Sequence, residues 1–176
     1  LNLMRESLLS SRIIHCDETR AQVLKEPGRE PSSQSWMWVQ TGGPPERPVV
    51  LFDYDPSRSG RVATRLLDGF SGYMMSDGYD GYNAAARSAS VNHLACWTHA
   101  RRRFIEAQRV QPKGKTGKAD VGVNYIAKLY AIEKLLKDCS QEIRTTTRQE
   151  KSRAVLSELR AWLDKSLAGV PPQSKL

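Results

Sequence analysis

Cysteine is scarce in this sequence, long apolar runs are missing, and carboxylates thin out toward its second half. Cys16, Cys96 and Cys139 are the only cysteines among 176 residues. An odd, unevenly spaced set excludes a disulfide framework and points to a reducing compartment, with the cytoplasm as the expected location. No stretch approaches the roughly 18 apolar residues that span a bilayer, and no charged-then-apolar leader opens the chain, so a soluble protein with no membrane role is expected. The sequence opens on Leu1 and closes on Pro171-Pro172-Gln173-Ser174-Lys175-Leu176 without a terminating pattern, so both ends read as cuts through a longer protein.

Basic residues are plentiful. Lys and Arg number 27 against 19 Asp and Glu, a formal net charge of +8 with a pI near 9.6, which favours a polyanionic partner such as nucleic acid. The excess is uneven: residues 1–99 hold 10 basic and 11 acidic side chains, residues 100–176 hold 17 and 8. That division suits an enzyme that cuts phosphodiesters with one part and grips them with the other.

The pattern of apolar residues predicts the tail of a helix over 3–10, then a strand from Arg12 to Leu24 with Asp17 in its middle. Pro27, Gly28 and Pro31 impose a loop before a second strand, Trp36 to Thr41, and a third, Pro48 to Tyr54. A short helix over Gly60 to Leu67, a strand Gly72 to Asp77, a turn or helix over Gly78 to Arg87, a strand Val91 to Trp97 and a basic helix His99 to Gln108 follow. The order βββαβαβ, flanked by helices, is that of a ribonuclease-H-like mixed sheet, an α/β fold in which the first strand lies beside the fourth. Gln111 to Val121 reads as a flexible linker, and apolar spacing predicts helices over Val123 to Arg144 and Lys151 to Ala168, paired as a hairpin. The expected domains are 1–110, the core; 111–121, the linker; and 122–176, a truncated helical insertion.

Phosphodiester cleavage without a protein nucleophile uses two divalent cations about 3.5–4 Å apart, and magnesium takes only a few carboxylates from the protein. Asp17 and Asp77 fall on strands that this sheet makes neighbours. In Asp77-Gly78-Tyr79-Asp80-Gly81-Tyr82 a tight turn accounts for much of the pattern by itself. It does not account for Asp17, a carboxylate amid apolar residues, which needs a cation, a partner or a solvated face. Glu18, on the opposite face, reads as structural or exposed. Cys96-Trp97-Thr98-His99 has the spacing of half a zinc site but no second pair, so Cys96 reads as buried in the fifth strand. Arg101, Arg102 and Arg103 open a helix that either clamps DNA phosphates or presents a solvated face, and Arg58 is another candidate phosphate contact. Trp36 and Trp38 share a face suited to core packing, and Trp162 belongs to a helix stripe.

Four blocks, His15-Cys16-Asp17-Glu18-Thr19, Asp55-Pro56-Ser57-Arg58-Ser59-Gly60, Ser76-Asp77-Gly78-Tyr79-Asp80-Gly81-Tyr82 and Cys96-Trp97-Thr98-His99-Ala100-Arg101-Arg102-Arg103-Phe104, resemble in order and spacing the successive blocks of the insertion-sequence 66 transposases. The resemblance runs over essentially the whole chain. It implies a bacterial, nucleoid-associated DNA transposase of the DDE type, with Asp17 and Asp77 as the first two catalytic, metal-binding acids and Mg2+ or Mn2+ as cofactor. His99 matches the His of a Cys-x-x-His step between the second and third acids of related superfamilies, which implies a place near the scissile phosphate. The partners implied are transposon ends and target DNA, with a homo-oligomer expected from the paired ends that transposases act on. The family's third acid, a glutamate in an asparagine-rich block beyond the helical insertion, has no match here: Glu133, Glu142, Glu150 and Glu158 lack its flanking residues. The chain by itself is therefore expected to bind metal weakly and to lack strand-transfer activity. A ribonuclease-H-like nuclease or resolvase, which would need further acids, and a basic DNA-binding module without chemistry are the alternatives.

Overall fold

The structure is a computed structural model that describes residues 2–87, 90–112, 114, 116–171 and 174. Lys113 and Lys115 of the expected linker, and Pro172, Gln173, Lys175 and Leu176 of the expected terminal cut, lie outside the described residues. The chain divides into two compact units, Leu1–Cys96 and Trp97–Leu176.

The first unit is a five-stranded mixed sheet with short helices. Helix α1 (Asn2–Leu9) precedes β1 (Ile13–Gln22), β2 (Gln34–Gly42) and β3 (Val49–Asp55); α2 (Gly60–Leu66), β4 (Gly72–Ser76), a 3-10 turn at Asp80–Tyr82, α3 (Asn83–Ala86) and β5 (Val91–Ala95) follow. The strand order is β3-β2-β1-β4-β5. β1 runs antiparallel to β2 and β2 to β3, while β4 is parallel to both β1 and β5. The first and fourth strands are thus neighbours, as the element order required.

Alternation decides which face is dry. Along β1, Ile14, Cys16 and Glu18 point inward while Ile13, His15, Asp17 and Thr19 face solvent. Ile14 and Cys16 join Trp38 and Met74 from the sheet, Leu8 from α1, Val62, Ala63 and Leu66 from α2, and Phe70, Tyr82 and Ala85, all buried, in one apolar core. Their removal from water, at about 25 cal/mol per Å2, is what holds the short helices on the sheet. Trp36 and Trp38 do share a face: Trp38 is buried and Trp36 packs at its edge.

The second unit is helical. Helix α4 (Trp97–Gln108) packs on α5 (Lys118–Leu135) through Phe104, whose ring lies so close to Gly122 that a Cβ there would sit 2.5 Å from it. Trp162 completes the cluster, with ring centroids 6.2 Å from Phe104 and 5.9 Å from Tyr125. The Asp120 carboxylate accepts from the Gly117 N–H at 2.7 Å and from the Gln108 and Gln111 side-chain amides, closing the first turn of α5. These bonds, the Gly117 N–H foremost, hold its pKa below the usual carboxylate range.

Besides the linker expected over 111–121, whose last four residues already belong to α5, three boundaries differ from the sequence reading. Helix α4 belongs with the later helices, not with the sheet, because its apolar side chain Phe104 is matched there. The helix expected over Val123 to Arg144 stops at Leu135; Ser140 caps a new helix by accepting from the Ile143 N–H, and Arg144 donates to the carbonyls of Leu136 and Lys137. From there α6 (Gln141–Thr147), a π-turn at Arg148–Ser152 and α7 (Arg153–Leu167) run on. The polar run Thr145 to Glu150 reads as a break in the sequence because the widened turn shifts the apolar stripe. The third difference is Cys96, which lies past the end of β5 and is half-buried instead of buried within it.

Candidate functional site

Asp17 and Asp77 come from β1 and from the bend that ends β4. The two strands pair in parallel as Ile13 with Tyr73, Ile14 with Met74 and His15 with Met75. The same register, if continued two steps past His15 and Met75, would bring Asp17 opposite Asp77, which lies just beyond the end of β4. Asp17 is exposed and Asp77 half-buried. Each carboxylate is oriented by a backbone donor: the Glu18 N–H reaches Asp17 Oδ1 at 3.0 Å, and the Tyr79 N–H reaches Asp77 Oδ1 at 2.8 Å. The second contact folds the chain back immediately after Asp77, which Gly78 allows with φ of +83°.

Beneath Asp17 lies a buried carboxylate. The Glu18 side chain has no exposed surface. Arg58 donates to its Oε1 from Nε at 2.9 Å and from Nη2 at 2.6 Å, and the Tyr82 hydroxyl donates to Oε2 at 2.6 Å. A buried carboxylate is tolerable only with such partners. The Arg58 guanidinium also lies 3.9 Å from the Tyr79 ring centroid and 4.7 Å from that of Trp36. Its loop is pinned at both sides, by the Trp38 indole N–H on the Ser57 carbonyl at 3.3 Å and by the Tyr79 hydroxyl on the Arg58 carbonyl at 2.5 Å.

The electrostatics follow from this packing. Burial, the largest influence, pulls the Arg58 pKa down, but the hydrogen bond and charge of Glu18, with smaller help from Tyr79 and Asp77, outweigh it and leave it raised. Burial and then Glu18 push the Tyr82 phenol far above its usual range, so it remains a donor. His93, whose Nε2 is 2.7 Å from Ser76 Oγ, has its pKa lowered by burial against the opposing pull of Asp77.

The residues singled out in the sequence thus part company. Asp17, Asp77 and Arg58 are in the first unit, Asp17 on β1 and Asp77 in the bend just past β4. Arg58 commits Nε and Nη2 to Glu18, an internal tie, while its side chain stays 37% exposed. His99 and Arg101, Arg102 and Arg103 are in the second unit, on the first two turns of α4; His99 and Arg101 are half-buried, Arg102 and Arg103 exposed. Among the described residues no group of three or more His, Cys, Asp or Glu is placed to hold a metal ion. The pair Asp17 and Asp77 has the donor chemistry of a magnesium or manganese site, which takes one or two carboxylates and fills its remaining positions with water or substrate oxygens. Sequence reasoning missed Tyr79, Tyr82 and His93; for Tyr82 the available signal was Glu18, since an inward carboxylate needs hydrogen-bond donors around it.

A family model described as "Transposase IS66 family" matches residues 1–176. Among curated proteins, y4jD of Sinorhizobium fredii is 32% identical over 85% of this chain and 31% of its own length, and y4qI of the same organism is 26% identical over 92% and 32%. The chain spans about a third of the length of these relatives. Among solved structures, a chain in the cryo-EM structure of the simian T-cell lymphotropic virus intasome in complex with PP2A regulatory subunit B56 gamma superposes with a TM-score of 0.39 and 13% identity, over 66% of this chain and 48% of that one. No described helix is long and apolar enough to cross a membrane. With one family model running across both the acid-bearing sheet and the basic helices, the chain belongs to the IS66 family of transposases.

Proposed function

We propose that this chain is part of a DNA transposase in which Asp17 and Asp77 are two of the acids that hold divalent metal for strand cleavage and strand transfer. The observation that carries the reading is the parallel pairing of β1 with β4 through His15 and Met75, each two residues short of one of the aspartates. The sheet order β3-β2-β1-β4-β5, an antiparallel meander followed by parallel strands, supports the ribonuclease-H-like topology on which such acids converge. Magnesium or manganese, when bound, activates the attacking oxygen and steadies the leaving oxygen of the phosphodiester. The chain's own part is to present two carboxylates whose orientation is fixed by the Glu18 and Tyr79 N–H groups. A third carboxylate, from a segment beyond the matched third of the relatives, completes the set, so the 176-residue chain binds metal weakly and is inactive alone.

The partners on this reading are the element's DNA ends and the target duplex, with a homo-oligomer pairing the ends. Arg101, Arg102 and Arg103 supply phosphate contacts, with His99 carried on the same helix. The test uses a polypeptide of the relatives' full length. Asp17→Asn and Asp77→Asn are each expected to reduce magnesium-dependent cleavage of duplex carrying the element's ends by at least about 100-fold while DNA affinity stays within about threefold, since phosphate contacts dominate affinity. Wild-type cleavage in either variant overturns the assignment. A second reading, a DNA-binding module without chemistry, is favoured by the 17 basic against 8 acidic residues beyond position 99; it predicts retained DNA binding with no cleavage in the full-length protein.

A further inference from the structure

Two acids from different parts of the chain can share an ion only if their separation is held to a fraction of an ångström, and here both are tied to one residue. The N–H that holds Asp17 belongs to Glu18, and the N–H that holds Asp77 belongs to Tyr79. The side chains of these two donors converge on Arg58. Arg58 grips Glu18 with two charge-assisted hydrogen bonds at 2.9 and 2.6 Å, lays its guanidinium over the Tyr79 ring at 3.9 Å, and accepts the Tyr79 hydroxyl on its own carbonyl at 2.5 Å. Trp36, from β2, adds a second aromatic contact at 4.7 Å, and Tyr82 fixes the other oxygen of Glu18.

We propose that Arg58 is a positioning residue for the acid pair: it couples the backbone donor of Asp17 to the backbone donor of Asp77 and so sets the distance between the two carboxylates. The inference rests on the reading of Asp17 and Asp77 as a divalent-metal site. Arginine is required because a planar guanidinium can donate in parallel to one carboxylate while stacking on a ring, whereas a lysine ammonium supplies charge without either geometry. Groups that orient metal ligands without touching the metal change affinity by about 10–100-fold when altered.

The test is Mn2+ titration of the 176-residue chain without DNA, followed by the electron paramagnetic resonance of free Mn2+, with folding checked by circular dichroism. The wild type is expected to bind Mn2+ in a way that Asp17→Asn with Asp77→Asn removes. Arg58→Lys is expected to stay folded and to bind at least about tenfold more weakly. Tyr79→Leu, which leaves the Glu18 bond intact but removes the stack and the hydroxyl, carries the same expectation and decides the matter if Arg58→Lys fails to fold. A folded variant that melts earlier but binds Mn2+ as the wild type does would overturn the positioning role, leaving Arg58 as a stabiliser only. Identical binding by the wild type and the double asparagine variant would remove the metal site itself, and the inference with it.

Discussion

The carboxylate of Glu18 is enclosed, and its charge is met by a guanidinium and a phenol. Removing one member of a buried pair leaves the other uncompensated, which costs about 3–5 kcal/mol, and Arg58→Ala, at a side chain 37% exposed, belongs at the lower end near 3. Urea denaturation measures this; a loss under about 1 kcal/mol is the signature of a surface ion pair and would contradict the enclosed arrangement. Cys16 offers a pH test. Burial raises its thiol from 9.0 to about 12. A folded-state pKa above the unfolded one contributes stability that is whole below about pH 9 and drains away as pH climbs toward 12. Native protein near neutral pH is accordingly expected to show Cys96 and Cys139 reacting with a thiol reagent while Cys16 reacts only on unfolding; prompt labelling of all three would refute the burial. At this scale the sequence singled out Asp17 and Asp77 as candidates through their flanking residues. It concealed the tie beneath them, because Arg58 and Tyr82 stand 40 and 64 positions from Glu18 and nothing local marks such a contact.

Strands and helices are set by alternation and by caps, and these were legible to different degrees. β1, β2 and β3 follow from branched and aromatic runs bounded by Pro and Gly, and the structure places their ends close to expectation. Helix ends were less legible: α5 stops at Leu135 and Ser140 caps a new helix within an apolar period that continues across both, and the π-turn at Arg148–Ser152 disguises a helix as a gap. The glycine of α5 is a packing choice. Gly122→Ala gains helix propensity of about 1 kcal/mol, yet its Cβ meets the Phe104 ring at 2.5 Å, a ring itself packed beside Trp162. Overpacking costs about 1–3 kcal/mol, so a net loss is expected in thermal denaturation followed by helical circular dichroism. An unchanged or higher melting temperature would mean that Phe104 moves freely.

Across the whole molecule, a nearly neutral sheet unit is followed by a basic helical one. The charge division was plain in the sequence, and so was the strand order that makes β1 and β4 neighbours. The border at Cys96 was not, since a basic helix directly after a strand reads equally well as part of either unit. If α4 grips phosphates, replacing Arg101, Arg102 and Arg103 with alanine should weaken duplex binding uniformly across DNA sequences and flatten the plot of log affinity against log salt by about 0.9 for each phosphate no longer neutralised. An unaltered slope would assign them to a solvated face. Convergence of Asp17 and Asp77 on one divalent ion, on which the catalytic reading stands or falls, is best checked by growing crystals in manganese and mapping its anomalous scattering. The expected map has a manganese peak held by oxygens of both carboxylates. Carboxylates that diverge, with no peak between them at saturating manganese, would contradict it.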